Sequence, residues 1–149
     1  ALLINETAAS FKPQAARAGV ELITEVSAEI PTVEADPARI REVISNLLMN
    51  ALRHTPEGGI VLVKGEVEAG KDFVAISVID NGEGVSAEQL PHIFDRFYKS
   101  VASRGAGLGL AIARNLVSAH GGEISAESES GGGMTVRFTL PFMIHKEKK

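Results

Sequence analysis

The sequence predicts one α/β domain with a mostly antiparallel sheet, and three observations carry that reading. Residues 37–54 place Ile40, Val43, Ile44, Leu47, Leu48 and Ala51 at helical spacing, so that they merge into one apolar stripe. Residues 60–67 and 73–79 are both strand-like and are joined by Glu68-Ala69-Gly70-Lys71-Asp72, which reads as a β-hairpin. Residues 124–127 and 134–141 form a closing pair of strands around Gly131-Gly132-Gly133. No internal repeat and no linker interrupts the 149 residues, so residues 1–149 are expected to be a single domain with a core of ordinary size.

Each element has a local cause. Residues 2–18 suit an amphipathic helix in which Pro13 marks a kink or a late start near Lys12, and Gly19 ends it. Residues 20–26 follow as a strand with Val20, Leu22, Ile23 and Val26 apolar, and residues 31–36 connect it to the next helix. Asp36-Pro37 opens that helix as an acidic N-cap followed by proline in the first turn, where a missing N–H costs nothing. Thr55-Pro56-Glu57-Gly58-Gly59 stops it. After the hairpin come Asp80-Asn81-Gly82-Glu83-Gly84, a short helical stretch near residues 87–90, and Phe94-Asp95-Arg96-Phe97-Tyr98-Lys99, which holds three of the seven aromatics. Residues 100–106 contain one large apolar side chain, Val101, and are expected to be mobile because little burial offsets their ordering entropy. A helix over 107–119 is closed by Gly121-Gly122, and residues 143–149 are expected to fray.

Composition removes several classes of function. The net charge is −4 and the one short basic run is the tail from His145 to Lys149, which argues against a nucleic-acid surface. No apolar run approaches the roughly 18 residues of a membrane span. The absence of cysteine excludes disulfides and thiol chemistry, and no histidine spacing matches a metal motif such as HExxH.

Three stretches offer chemistry. At about 100° per residue, Glu42, Asn46, Asn50 and Arg53 form a second stripe beside the apolar one. Asparagine is a middling helix former, so two of them one turn apart at the seam suggest either a ligand-facing edge or a plain solvated face. Asp80-x-Gly82-x-Gly84 ends a strand, where a carboxylate can accept from an exocyclic amine and glycines permit positive φ and close backbone approach; Asp-Asn-Gly is equally common turn chemistry. Gly105-x-Gly107-x-Gly109 leads into a helix whose free N–H groups favour anions, or simply gives that helix a flexible start. It lacks the third glycine of a dinucleotide fingerprint and the Gly-Lys-Ser/Thr of a P-loop.

In this order, the stretches resemble the ATP-binding catalytic domain of bacterial sensor histidine kinases, within the gyrase–Hsp90–histidine kinase–MutL superfamily. Asn46-Leu47-Leu48-Met49-Asn50-Ala51-Leu52-Arg53-His54 resembles the N box, Asp80-Asn81-Gly82-Glu83-Gly84 the G1 box and Phe94 to Lys99 the F box. Gly105-Ala106-Gly107-Leu108-Gly109-Leu110 resembles the G2 box, and Gly131 to Leu140 the last glycine box and strand. The resemblance implies a two-layer α/β sandwich (the Bergerat-type ATP-binding fold) with helices on one face of a mixed sheet. It implies ATP and Mg2+ as cofactors. Asn50 would hold the magnesium ion, Asn46 would support it or its waters, and Arg53 would reach the phosphates. Asp80 would accept the adenine amino group, with Gly82 and Gly84 letting the backbone approach the purine. Residues 100–106 would form a lid, Lys99 would swing toward the triphosphate, and Gly105, Gly107, Leu108, Gly109 and Leu110 would line it. Relatives often carry a hydroxyl directly after the last glycine cluster; Met134 stands there in this chain, so Thr135 is the candidate for an adenine-side contact.

The resemblance further implies transfer of the γ-phosphoryl group to a histidine followed by an acidic residue, in a separate dimerisation domain. His54, His92, His120 and His145 all lack a following Asp or Glu. The chain is therefore expected to carry the nucleotide and not the acceptor, with a response regulator downstream. A monomeric chain, a homodimeric full kinase and a cytoplasmic location, with or without a membrane anchor in the parent protein, complete the expectation. The alternatives are a gyrase-, Hsp90- or MutL-type ATPase, a serine kinase of the anti-sigma type, and a nucleotide-sensing module without turnover. The ATPases place a carboxylate near the position of Asn46 to activate water, and an amide cannot take up that proton.

Overall fold

The computed structural model describes residues 2–31, 33, 35–67, 72–95, 109–128 and 132–142. The expected lid over 100–106, Lys99, Gly105, Gly107, Leu108, the last five F-box positions after Phe94 except Asp95, and the tail over 143–149 lie outside those residues.

Helix α1 (Leu2–Ser10) and helix α2 (Lys12–Ala18) replace the single kinked helix expected over 2–18. The break falls at Phe11, and Pro13 then occupies the first turn of α2, where it forfeits no hydrogen bond. Gly19 closes α2 in the left-handed region, with φ 72°. Strand β1 (Glu21–Val26) leads to helix α3 (Pro37–His54), and strands β2 (Ile60–Val67) and β3 (Phe73–Asp80) follow. A short 3-10 turn at Leu90–His92 takes the place of the helical stretch expected at 87–90. Helix α4 (Gly109–Ala119) and strands β4 (Ile124–Ser128) and β5 (Met134–Pro141) complete the fold.

The five strands form one mixed sheet in the order β1-β2-β3-β5-β4. Strands β1 and β2 run parallel, connected through α3, and the other three pairings are antiparallel. Two short bonds fix the parallel pair at its start: Gly58 N–H donates to Gly19 O at 2.7 Å, and Glu21 N–H to Gly59 O at 3.0 Å.

Alternation along the strands assigns one face to the helices. Leu22, Val61, Val63, Val78, Val136 and Phe138 are buried there, against Val43, Ile44, Leu47 and Leu48 of α3 and Val117 of α4. Thr135, Arg137 and Thr139 take the opposite pleat and are half-buried. The molecule is thus a two-layer α/β sandwich, and every apolar position expected for α3 is buried.

Helix α3 is fastened at both ends. Asp36 Oδ1 accepts from Ala38 N–H at 3.0 Å, so the aspartate caps the helix as its sequence position requires. The backbone N–H of Asp36 donates to His120 Nε2 at 3.3 Å, and His120 Nδ1 lies 2.8 Å from Leu116 O. His120 therefore ties the end of α4 to the beginning of α3. At the other end Thr55 Oγ1 donates to Ala51 O at 2.7 Å.

Candidate functional site

The helix-facing end of β3 meets the C-terminal half of α3. Asp80 is the last residue of β3, and the register Leu22–Val61–Asp80–Met134–Ser128 places its side chain in the row that faces the helices. It is only 6% exposed. Burial pushes its carboxyl above the ordinary aspartate value; donation from Gly82 N–H at 2.9 Å, the nearby His54 and donation from Met134 N–H work the other way, and Glu83 adds to the rise. Desolvation wins, so the group sits in a setting where a donor would be worth more than in water.

The glycines around Asp80 serve the chain as well as any ligand. A Cβ at Gly82 would collide with the His54 carbonyl oxygen, and Gly82 does not adopt positive φ. Its missing side chain thus lets the turn pack on the end of α3, which corrects the expectation that it serves positive φ. Gly84 does take positive φ, at 70°. Gly133, read from sequence as no more than a hairpin glycine, has φ 87°, and a Cβ there would collide with the Asp80 carbonyl oxygen.

On α3, Asn50 is buried and Asn46 half-buried, whereas Arg53 is exposed. Asn46 Nδ2 is sealed from solvent and has no hydrogen-bond partner among the described residues. A buried donor left unpaired costs about 1–3 kcal/mol, so the amide has an unmet need for an acceptor. Gly109, the first residue of α4, lies beside it; a Cβ there would stand 4.0 Å from Asn46 Oδ1. Leu110 packs against the core. The structure thus brings Asn46 to the start of α4, where free helical N–H groups favour an anion.

Thr135 does not join this group. It pairs with Ile79 on the pleat opposite Asp80, because strand side chains alternate, and Met134 is the residue beside the carboxylate. The helix-free face is therefore the place of Thr135.

Sequence reasoning missed several residues that shape the site. Ser128 Oγ accepts from Val85 N–H and donates to Gly133 O, both at 2.8 Å, joining β4 to the loop after β3. Asn81 Oδ1 accepts from Ile60 N–H at 2.8 Å. His54 Nδ1 lies 3.4 Å from Glu83 Oε2, and Glu83 N–H donates to His54 O at 3.4 Å. Arg114 of α4 stands over the Phe94 ring, 6.0 Å from its centre. His54, Asn81, Glu83 and Phe94 stood inside the boxes of the resemblance without a role, whereas nothing in the sequence pointed to Ser128 or Arg114.

Among the described residues no group of three or more His, Cys, Asp or Glu could hold a metal, and no helix is long and apolar enough to cross a membrane.

Residues 35–144 match the family model for histidine kinase-, DNA gyrase B-, and HSP90-like ATPases. The chain belongs to this family. It is 42% identical over 120 residues to the sensor histidine kinase WalK of Bacillus subtilis, an alignment covering 77% of this chain and 20% of WalK. Among solved structures it is similar to full-length ShkA in complex with AMPPNP, with TM-score 0.85 and 36% identity over 94% of this chain and 29% of that one. It is also similar to the catalytic domain of histidine kinase ThkA, with TM-score 0.81 and 30% identity, covering 94% of this chain and 90% of that domain. ThkA has further been solved in complex with the response regulator protein TrrA. The chain therefore has the fold of a histidine kinase catalytic domain and spans about a fifth of the length of WalK.

Proposed function

We propose that the chain binds ATP with magnesium and transfers the γ-phosphoryl group to a histidine on a separate helical dimerisation domain, in two-component signalling. The observation that carries this reading is that one helix, α3, packs its end on the turn after a buried strand-end carboxylate and sets its seam asparagine Asn46 beside the start of α4. Asp80 accepts the 6-amino group of adenine. Asn46 donates its buried amide to an oxygen of the triphosphate, which extends the role that the resemblance implies, support of the metal or its waters. Arg53, exposed at the last turn of α3, neutralises phosphate charge, and Gly109 with the N–H groups that follow it lines the phosphates. Lys99, Gly105, Gly107 and Leu108 are assigned to the same phosphates by the resemblance alone.

The donor set suits magnesium as well. Mg2+ takes few protein oxygens and completes its shell with phosphates and waters, so one amide oxygen, from Asn50, is enough. When bound it offsets charge on the triphosphate. The residues of the chain supply the rest, which is chiefly positioning.

In the transfer itself, a neutral imidazole nitrogen of the partner forms the N–P bond while the bond from the β,γ-bridging oxygen to the γ-phosphorus breaks and ADP leaves. That nitrogen needs no deprotonation to attack, whereas water and serine benefit from a general base. Asn46 cannot act as one. Glu42, one turn back, is engaged with Arg39 at 3.3 Å on the helix surface. This arrangement favours the kinase over the gyrase-like ATPase. A dimeric parent kinase and a downstream response regulator complete the proposal.

Calorimetric titration with ATP, with and without magnesium, tests it. Asn50→Ala should remove most of the magnesium dependence while leaving recognition of the base. Intact metal dependence in that variant would take the ion away from α3.

A further inference from the structure

His54 closes α3, one residue after Arg53 and four after Asn50, and it touches the turn after β3 in several ways. Its carbonyl oxygen accepts from Glu83 N–H and is the atom against which Gly82 packs. Its ring nitrogen Nδ1 lies 3.4 Å from Glu83 Oε2. The His54 side chain is 13% exposed and that of Glu83 is 55% exposed, so the ring is largely enclosed while its partner reaches it from the solvent side. Asp80 is near enough for positive charge on His54 to favour its ionised form. The imidazole thus contacts one carboxylate, Glu83 on the rim, and acts through space on a second, Asp80, at the end of the helix that carries the phosphate-side residues.

Resting on the nucleotide-binding reading above, we propose that His54 is a positioning residue for base recognition: its imidazole, held by Glu83, fixes the Asp80–Gly84 turn against the end of α3. One side chain then sets the distance between the base subsite and the phosphate subsite. The pair alone is worth little, because its Glu83 partner is more than half exposed. Its effect is exerted through Asp80, where a small displacement of the carboxylate lengthens the hydrogen bond to the 6-amino group. Selectivity for an amino-bearing purine follows from that chain of contacts.

The test uses the whole chain, with Mg-ATP and a purine nucleoside triphosphate lacking the 6-amino group as probes. His54→Phe keeps a ring of similar size and removes the nitrogen that faces Glu83. It should weaken Mg-ATP roughly tenfold, leave the deaminated analogue unchanged, and have no further effect in an Asp80→Asn background. Glu83→Gln should shift ATP affinity in the same direction by a smaller factor. It decides the matter should His54→Phe fail to fold. Equal losses for both nucleotides, or wild-type ATP affinity in both variants, would overturn the positioning role while leaving the nucleotide reading standing. If the wild-type chain binds neither probe, it is the nucleotide reading that fails.

Discussion

Asp80 carries opposite demands for stability and for binding. Burial pushes its carboxyl above the ordinary value of 3.8, so the folded chain holds that proton more tightly than the unfolded one. The resulting stabilisation is fully present below about 3.8 and is lost as pH rises through the raised value. In the proposed role nucleotide binding has the reverse sign, because an adenine amine would need the ionised group, and affinity should fall as pH drops through the same window. Asp80→Asn should flatten both profiles and weaken ATP by about 1.5–3 kcal/mol at neutral pH, roughly 10- to 150-fold. Thermal melts and calorimetry from about pH 4 to about pH 7 measure both effects; an unchanged affinity in the variant would place the adenine elsewhere. The glycines beside it are a matter of packing. Gly133→Ala adds a backbone collision and a strained φ, and should cost about 2–4 kcal/mol. A melting temperature equal to that of the wild type would remove Gly133 from this account.

Helix α3 is the element that joins core to site. Leu47 and Leu48 are fully buried on its sheet-facing side, so Leu48→Ala should cost about 2–5 kcal/mol in chemical denaturation. Asp36→Ala removes the cap and should cost about 1 kcal/mol. A loss as large as that of Leu48→Ala would show that Asp36 does more than cap. Both ends of α3 were legible in the sequence because caps, prolines and helical periodicity are local signals. Strand identity was equally legible. What stayed hidden depends on pairing across the chain: the register that sends Thr135 to the helix-free face, and the bonds from Val85 to Ser128 and from His54 to Glu83, which join residues 43 and 29 positions apart. Gly82 and Gly133 were visible as glycines. Their reason, the approach of one backbone to another, was not.

At the scale of the molecule, the sheet and its helix layer set Asn46, an amide and no base, beside the start of α4, while Glu42 one turn back pairs with Arg39 and His54 at the helix end faces Glu83. The central claim is transfer to a partner histidine, and phosphate-labelled ATP tests it most directly. The chain is incubated with γ-labelled Mg-ATP alone, and then with a histidine-bearing dimerisation domain. The account predicts little inorganic phosphate and no labelling of the chain alone, followed by acid-labile, alkali-stable label on the added domain. Rapid release of inorganic phosphate without the partner, or label that resists acid, would contradict it.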